Sequence, residues 1–206
     1  MKKKLILRWI CFLLGIIILT LGARIILFSG LGVGGLDAIA IGCAKWSRMS
    51  IGIWIMILGT LLVIISAFII GKFTLIPIGT SVLIGWIYNI WGEFLFDAMR
   101  SPTDSAHIGY SFLLGILIGP LGAAIYIASQ ISMGPVDYLM IAIKERFHLS
   151  IQTGRIFIEI LFVIIGYLVR GPIGIGTICI MLFWGPILQV YYTIVNKLLG
   201  KYLKKN

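Results

Sequence analysis

Apolar residues run along this chain in long stretches broken by short polar clusters, and several stretches reach about 18 residues, enough to cross a hydrocarbon core as a helix. The pattern predicts eight helices in two sets of four. The first set falls near 5–29, 34–46, 51–71 and 75–96, the second near 108–129, 134–147, 152–169 and 174–196. In each set the second segment is shorter than its neighbours and starts just after a glycine pair or a Gly-Pro. The fold class is therefore all-α: a polytopic membrane helical bundle of about six long and two shorter helices.

The two sets are alike in sequence. Residues 12–51 and 112–151 share 16 identities in 40 positions without a gap, which marks an internal duplication. Phe12-Leu13-Leu14-Gly15 returns as Phe112-Leu113-Leu114-Gly115, and Gly34-Gly35-Leu36-Asp37 as Gly134-Pro135-Val136-Asp137. After a three-residue slip, Gly79-Thr80 matches Gly176-Thr177. The polar stretch from Asp97 to His107 joins the halves, so the expected units are a first membrane repeat, 1–98, a cytoplasmic connector, 99–107, and a second repeat with a basic tail, 108–206.

Composition sharpens the class. Of 206 residues 60% are hydrophobic and 12% charged, too little polar surface for a soluble globule. The net charge of +10 would suggest nucleic acid in a soluble protein, but here the basic residues cluster at the ends of apolar runs. They read as topology signals and contacts for anionic lipid, with no nucleic-acid partner. If all eight segments cross the bilayer, 14 basic residues lie on the cytoplasmic side against Lys72 and Arg170 outside; if the short segments re-enter, the split is 12 to 4. The first option has the better charge bias. It predicts parallel repeats in the cell membrane with both termini cytoplasmic, whereas re-entry would make the repeats inverted.

Ionisable residues inside apolar runs are costly, at least ~2.5–3.5 kcal/mol at the bilayer centre on insertion scales, and so point to function. Arg24, Asp37 and Asp137 stand out. Both acids sit in the first turn of a short helix, where they also offset the positive end of the helix dipole. Arg24 is placed to pair with Asp37 as a fixed ion pair, or to line a shared pocket with it. The expected solute-binding pocket comprises Arg24, Asp37, Gln130 and Asp137, with Thr80 and Thr177 as further candidates and Gly34, Gly35, Gly134 and Pro135 as the helix-start motif. Arg155 and Glu159 read as an i, i+4 pair near the cytoplasmic boundary. Cys11, Cys43 and Cys179 read as small buried hydrophobes. His107 and His148 lack the company a metal site needs, and no cofactor is called for. No nucleotide-binding, metalloprotease or nucleophile-elbow motif is present, and the chain is not read as an enzyme.

The Gly34-Gly35-Leu36-Asp37 and Gly134-Pro135-Val136-Asp137 motifs after a small-residue-rich first span, followed by Gly176-Thr177 and Gly185-Pro186, resemble the YczE/YyaS/YitT group of bacterial membrane proteins, most closely its YczE-like branch. The resemblance implies a permease-like protein or one linked to regulation of secondary-metabolite production. Two readings follow: a small permease with a polar pocket between its repeats, acting on an unknown small solute, or a non-transporting scaffold or regulator. A homo-oligomer is left open.

Overall fold

The computed structural model describes residues 2–71, 74–96, 102–148 and 151–203. Lys72, Arg100, Lys204 and Lys205 of the charge count lie outside these residues, as do Asp97, Ser150 and residues 99–101 of the connector. The described chain forms eight α-helices: α1 Lys2–Ser29, α2 Gly35–Ser47, α3 Ile51–Ile70, α4 Ile76–Trp91, α5 Ser105–Ala128, α6 Pro135–Phe147, α7 Ile151–Leu168 and α8 Ile175–Leu203. A π-helical turn, Gly92–Phe96, continues α4. The expected elements appear within a few residues, except that α8 extends through the basic tail as far as Leu203. Stretches of α1, α3, α5 and α8 are long and apolar enough to cross a membrane. Large apolar side chains such as Phe68, Trp86, Leu113, Phe157 and Leu182 face outward, an exterior suited to lipid rather than water.

The centre of the bundle is the pair α1 and α5, which run antiparallel. Gly15 packs on Gly122 and Tyr126, Gly22 on Gly119, and Gly115 on Ile26, so numbers rise along one helix as they fall along the other. A Cβ on Gly22 would stand 2.5 Å from the Gly119 Cα and 3.1 Å from the Gly115 carbonyl. Without water to squeeze out between helices in lipid, close backbone approach of this kind supplies the packing energy.

This pairing corrects one expectation. Because α1 and α5 are the matching helices of the two halves, the halves are inverted with respect to each other and not parallel. The neighbouring contacts agree: α2 packs on α7 and α6 packs on α3, pairs that interchange when the halves are exchanged. Gly35 lies on Phe162, Ala38 on Gly166 and Gly42 on Val169, so α2 and α7 run in the same direction. One pair breaks the balance. Helices α3 and α4 pack closely through Gly52 and Gly85, whereas their counterparts α7 and α8 scarcely touch.

The short helices do not cross the bundle. After α1 the chain reverses at Gly30 and Gly32, whose φ angles of 73° and 113° suit glycine. It then runs back inward, with the Val33 amide donating to the Pro172 carbonyl at 3.1 Å, and α2 starts inside the bundle. It returns to the end from which the chain entered, where the Trp54 indole donates to the Ser47 hydroxyl at 2.6 Å. The second half repeats the device at the opposite end. Arg8 ties the reversal there to α1 by donating to the Ser129 carbonyl at 2.7 Å and to the Gln130 carbonyl. Gln130 holds the left-handed turn, φ 54°, that glycine holds in the first half. Helix α6 then starts beside Tyr126, level with Gly15 near the middle of α1. Six helices thus run end to end, and two half-helices dip in from opposite ends.

Candidate functional site

The two half-helices aim their N-termini at a common space. A cavity of about 210 Å³ lies where they meet, lined by Gly34, Gly35 and Asp37 from the first half and Gly134, Pro135 and Asp137 from the second. Arg155 and Glu159 of α7 complete its charged wall, and Ile26, Ile55, Ile84, Ile180 and Trp184 supply much of the apolar remainder. A wider space of about 640 Å³ shares Ile127, Asp137, Met140, Arg155 and Leu188 with it. That space is bordered by Gln130, Ser132, Gln189 and Tyr192, at the end of the bundle that carries the chain's N-terminus. The cavity is therefore approached from that end.

Local sequence explains why the half-helices begin here. Gly34 and Gly134 are N-caps in extended conformation, and neither contributes a side chain to cap the free amides. Pro135 occupies the first helical position, where its missing N–H costs nothing. Asp37 and Asp137 in the first turns offset the positive helix ends. Glycine is also required by space: a Cβ at Gly35 would stand 2.7 Å from the Phe162 Cβ, and one at Gly134 would meet the Tyr126 hydroxyl at the same distance.

The charged groups have different partners. Tyr126 donates its hydroxyl to the Asp137 carboxylate, and the Gly134 amide faces the same group. The Gly35 amide faces the Glu159 carboxylate, which also lies in the field of Arg155. Asp37 lies in the fields of Glu159 and Arg24. The anticipated Arg155–Glu159 ion pair is not closed; among the described residues the one basic–acidic side-chain contact within 4 Å is the His107 ring nitrogen with Asp104, 3.0 Å, on the surface.

Other expected residues lie elsewhere. Arg24 is buried, but its guanidinium turns to the C-terminal end of α4, donating to the Tyr88 carbonyl at 2.8 Å, stacking 4.1 Å from the Tyr88 ring centre and filling the room left by Gly92. It is neither a cavity residue nor paired with Asp37. A cation at a helix C-terminus satisfies carbonyls that the change to π-helical winding would leave open. Thr80 and Thr177 are buried yet absent from the cavity wall. Thr80 donates to the Ser132 hydroxyl at 2.6 Å, pinning the second reversal. Thr177 accepts from the Gly174 amide at 3.2 Å and packs against Gly32 of the first reversal. Gln130 lies at the outer mouth and not at the centre. Asn89, with carbonyl and amide engaged by the Gly52 amide and the Ser50 hydroxyl at 2.8 Å each, is an interhelical clasp.

Asp37 and Asp137, with the four helix-start residues, are thus brought together, and Arg155, Glu159 and Tyr126 join them. Glu159 carried a signal of its own, an acid well inside the apolar run of α7. Its spacing from Arg155 gave it a local explanation that the structure does not bear out.

A family profile matches residues 6–193, nearly the whole chain. The protein belongs to the family of unknown function DUF6198. It is 28% identical over 205 residues to the uncharacterized protein YyaS of Bacillus subtilis, covering 97% of this chain and 98% of that one. It is 27% identical over 190 residues to the uncharacterized membrane protein YczE of the same organism, covering 92% and 87%. An uncharacterized protein of Haemophilus influenzae is 37% identical over 86 residues, 42% of this chain and 39% of that protein's length. No solved structure matches the chain. The relatives and the apolar helices together mark this member of the family as a membrane protein.

Proposed function

We propose that this protein is a small-solute permease of the bacterial cytoplasmic membrane, built from two inverted repeats that hold the solute where the half-helices meet. The observation that carries the reading is the placement of Asp37, Asp137, Arg155 and Glu159 around one cavity at the N-termini of two half-helices entering from opposite ends. Charged groups at such depth are expensive unless they serve a polar cargo, and broken helices that meet between inverted repeats are a recurrent way to build a transport site. A scaffold needs close packing but no charged hollow. With the N-terminus cytoplasmic, as the 12 to 4 split of basic residues favours for two re-entrant segments, the mouth of the cavity opens to the cytoplasm.

Flux through proteoliposomes tests the reading. Vesicles holding the purified protein and loaded with a panel of amines, amino acids, carboxylates and neutral polyols should release at least one class faster than protein-free vesicles. Arg155→Ala or Glu159→Gln should cut that release about tenfold. No protein-dependent release of any class would favour the non-transporting scaffold instead.

A further inference from the structure

The charges around the cavity do not balance, and the imbalance has an address. With every lining side chain ionised, three carboxylates, Asp37, Asp137 and Glu159, face one guanidinium, Arg155. Each half-helix N-terminus adds roughly half a positive charge, which leaves about one unit of negative charge without a counterpart. Asp137 accepts from the Tyr126 hydroxyl, and Glu159 lies in the field of the Gly35 amide. Among the described residues no group donates a hydrogen bond to Asp37. The cation in its field, Arg24, is committed to Tyr88. Near it the Tyr88 hydroxyl is fully buried with no partner and lies in the field of Asp37. Asp37 opens on the cavity with no donor among the described residues, so a ligand or water must supply its partner.

Two further observations narrow the ligand. Among the described residues no three acidic, cysteine or histidine side chains converge as metal ligands, so the carboxylates flank the space instead of meeting at a point. A hard cation also asks for a shell of six or more oxygens, whereas much of this wall is Ile26, Ile55, Ile84, Ile180 and Trp184. The volume, about 210 Å³, is several times the roughly 30 Å³ share of a water molecule.

Resting on the permease reading, we infer that the cavity binds a small organic monocation, an ammonium head on an apolar body, with Asp37 as its anchor. The head sits against the Asp37 carboxylate, within the field of Glu159, and the body lies along the isoleucines and Trp184. Arg155, nearer the mouth, disfavours a second positive charge.

The test uses the purified full-length protein in detergent and follows its thermal unfolding with butylammonium or tetraethylammonium chloride, against sodium butyrate, 1-butanol and sodium chloride at matched concentration. One or both ammonium probes should raise Tm by several degrees at saturating concentration, as a ligand confined to the native state does, while the other three leave it in place. Asp37→Asn should abolish the ammonium shift, and Asp104→Asn, outside the bundle, should retain it. Should Asp37→Asn not fold, Glu159→Gln serves: with one negative charge fewer in the wall, half-saturation should need at least about three times more ammonium. An ammonium shift that survives Asp37→Asn overturns the anchor. A butyrate shift without an ammonium shift overturns the ligand class and leaves the permease reading standing. A shift from no probe overturns the inference, and the flux measurement then judges the permease reading alone.

Discussion

Tyr126 donates its hydroxyl to the Asp137 carboxylate, joining the last turns of α5 to the first turn of α6 across a chain reversal only a few residues long. A hydrogen bond to a charged group contributes about 1.5–3 kcal/mol, and its loss leaves the carboxylate short of a donor. Tyr126→Phe keeps the ring that packs beside Phe12 and removes only the hydroxyl. Thermal unfolding should shift down by the equivalent of about 2 kcal/mol; an unchanged midpoint would show that the bond does not hold the reversal.

The α1–α5 contact makes a sharper prediction. Gly22→Val puts a branched side chain where the Gly119 Cα stands 2.5 Å from the first added carbon. Overpacking of this kind typically costs about 1–3 kcal/mol, and a backbone obstacle cannot rotate away, so the upper end is expected. Gly109→Ala is the control. It meets nothing within 4 Å in the first turns of α5, and alanine favours the helix by up to about 1 kcal/mol. The two variants should move the unfolding temperature in opposite directions, and a matching response would remove the special status of the contact.

Arg24→Ala separates structure from binding. The change strips a charge-assisted bond from the Tyr88 carbonyl and empties the space beside Gly92, and should cost about 2–3 kcal/mol of stability. Affinity for a cationic cavity ligand should hold or rise, since the guanidinium is not part of the cavity wall but adds positive charge to the field of Asp37. Complete loss of binding in a variant that stays folded would restore Arg24 to the site.

Labelling settles the direction of the halves in the membrane. Trp46, 91% exposed at the end of α2, and Phe147, 62% exposed at the end of α6, emerge from opposite ends of the bundle. In a background with Cys11, Cys43 and Cys179 replaced by serine, an impermeant thiol reagent added outside intact cells should modify Trp46→Cys and spare Phe147→Cys. Modification of both from one side would contradict the inverted arrangement.

Much of the fold was legible because hydrophobic run length and punctuation by glycine, proline and charge are one-dimensional signals. The direction of α2 and α6 was not. A segment of 16 residues, 31–46, rises roughly 24 Å as a helix, enough to pass for an upright span, and the charge count separated 14 to 2 from 12 to 4 by too little to exclude re-entry. Asp37 and Asp137 stood out because a lone acid inside an apolar run has few innocent explanations, and both lie in the cavity wall. Arg155 and Glu159 escaped because their spacing offered one. Arg24 was misplaced for a different reason: its long side chain reaches a neighbouring helix, and which neighbour depends on the rotation of α1, which periodicity cannot supply when apolar residues surround the helix on every side. Thr80 and Thr177 were grouped as equivalent positions, and both are buried. What equivalence could not reveal is that Thr80 bonds to the reversal of the second half and Thr177 packs against that of the first.

The glycine seam also bears on which changes each half can take. Along it Gly15 faces Gly122 and Gly22 faces Gly119, so a bulkier residue at one position must be met by a change at the position it faces on the other helix. The stretches in which the two halves read most alike, Phe12 to Ala23 and Phe112 to Ala123, hold the glycines of this contact. Away from that line the halves differ in chemistry: at the same shift of 100 positions, α3 has Gly59 where α7 has Glu159.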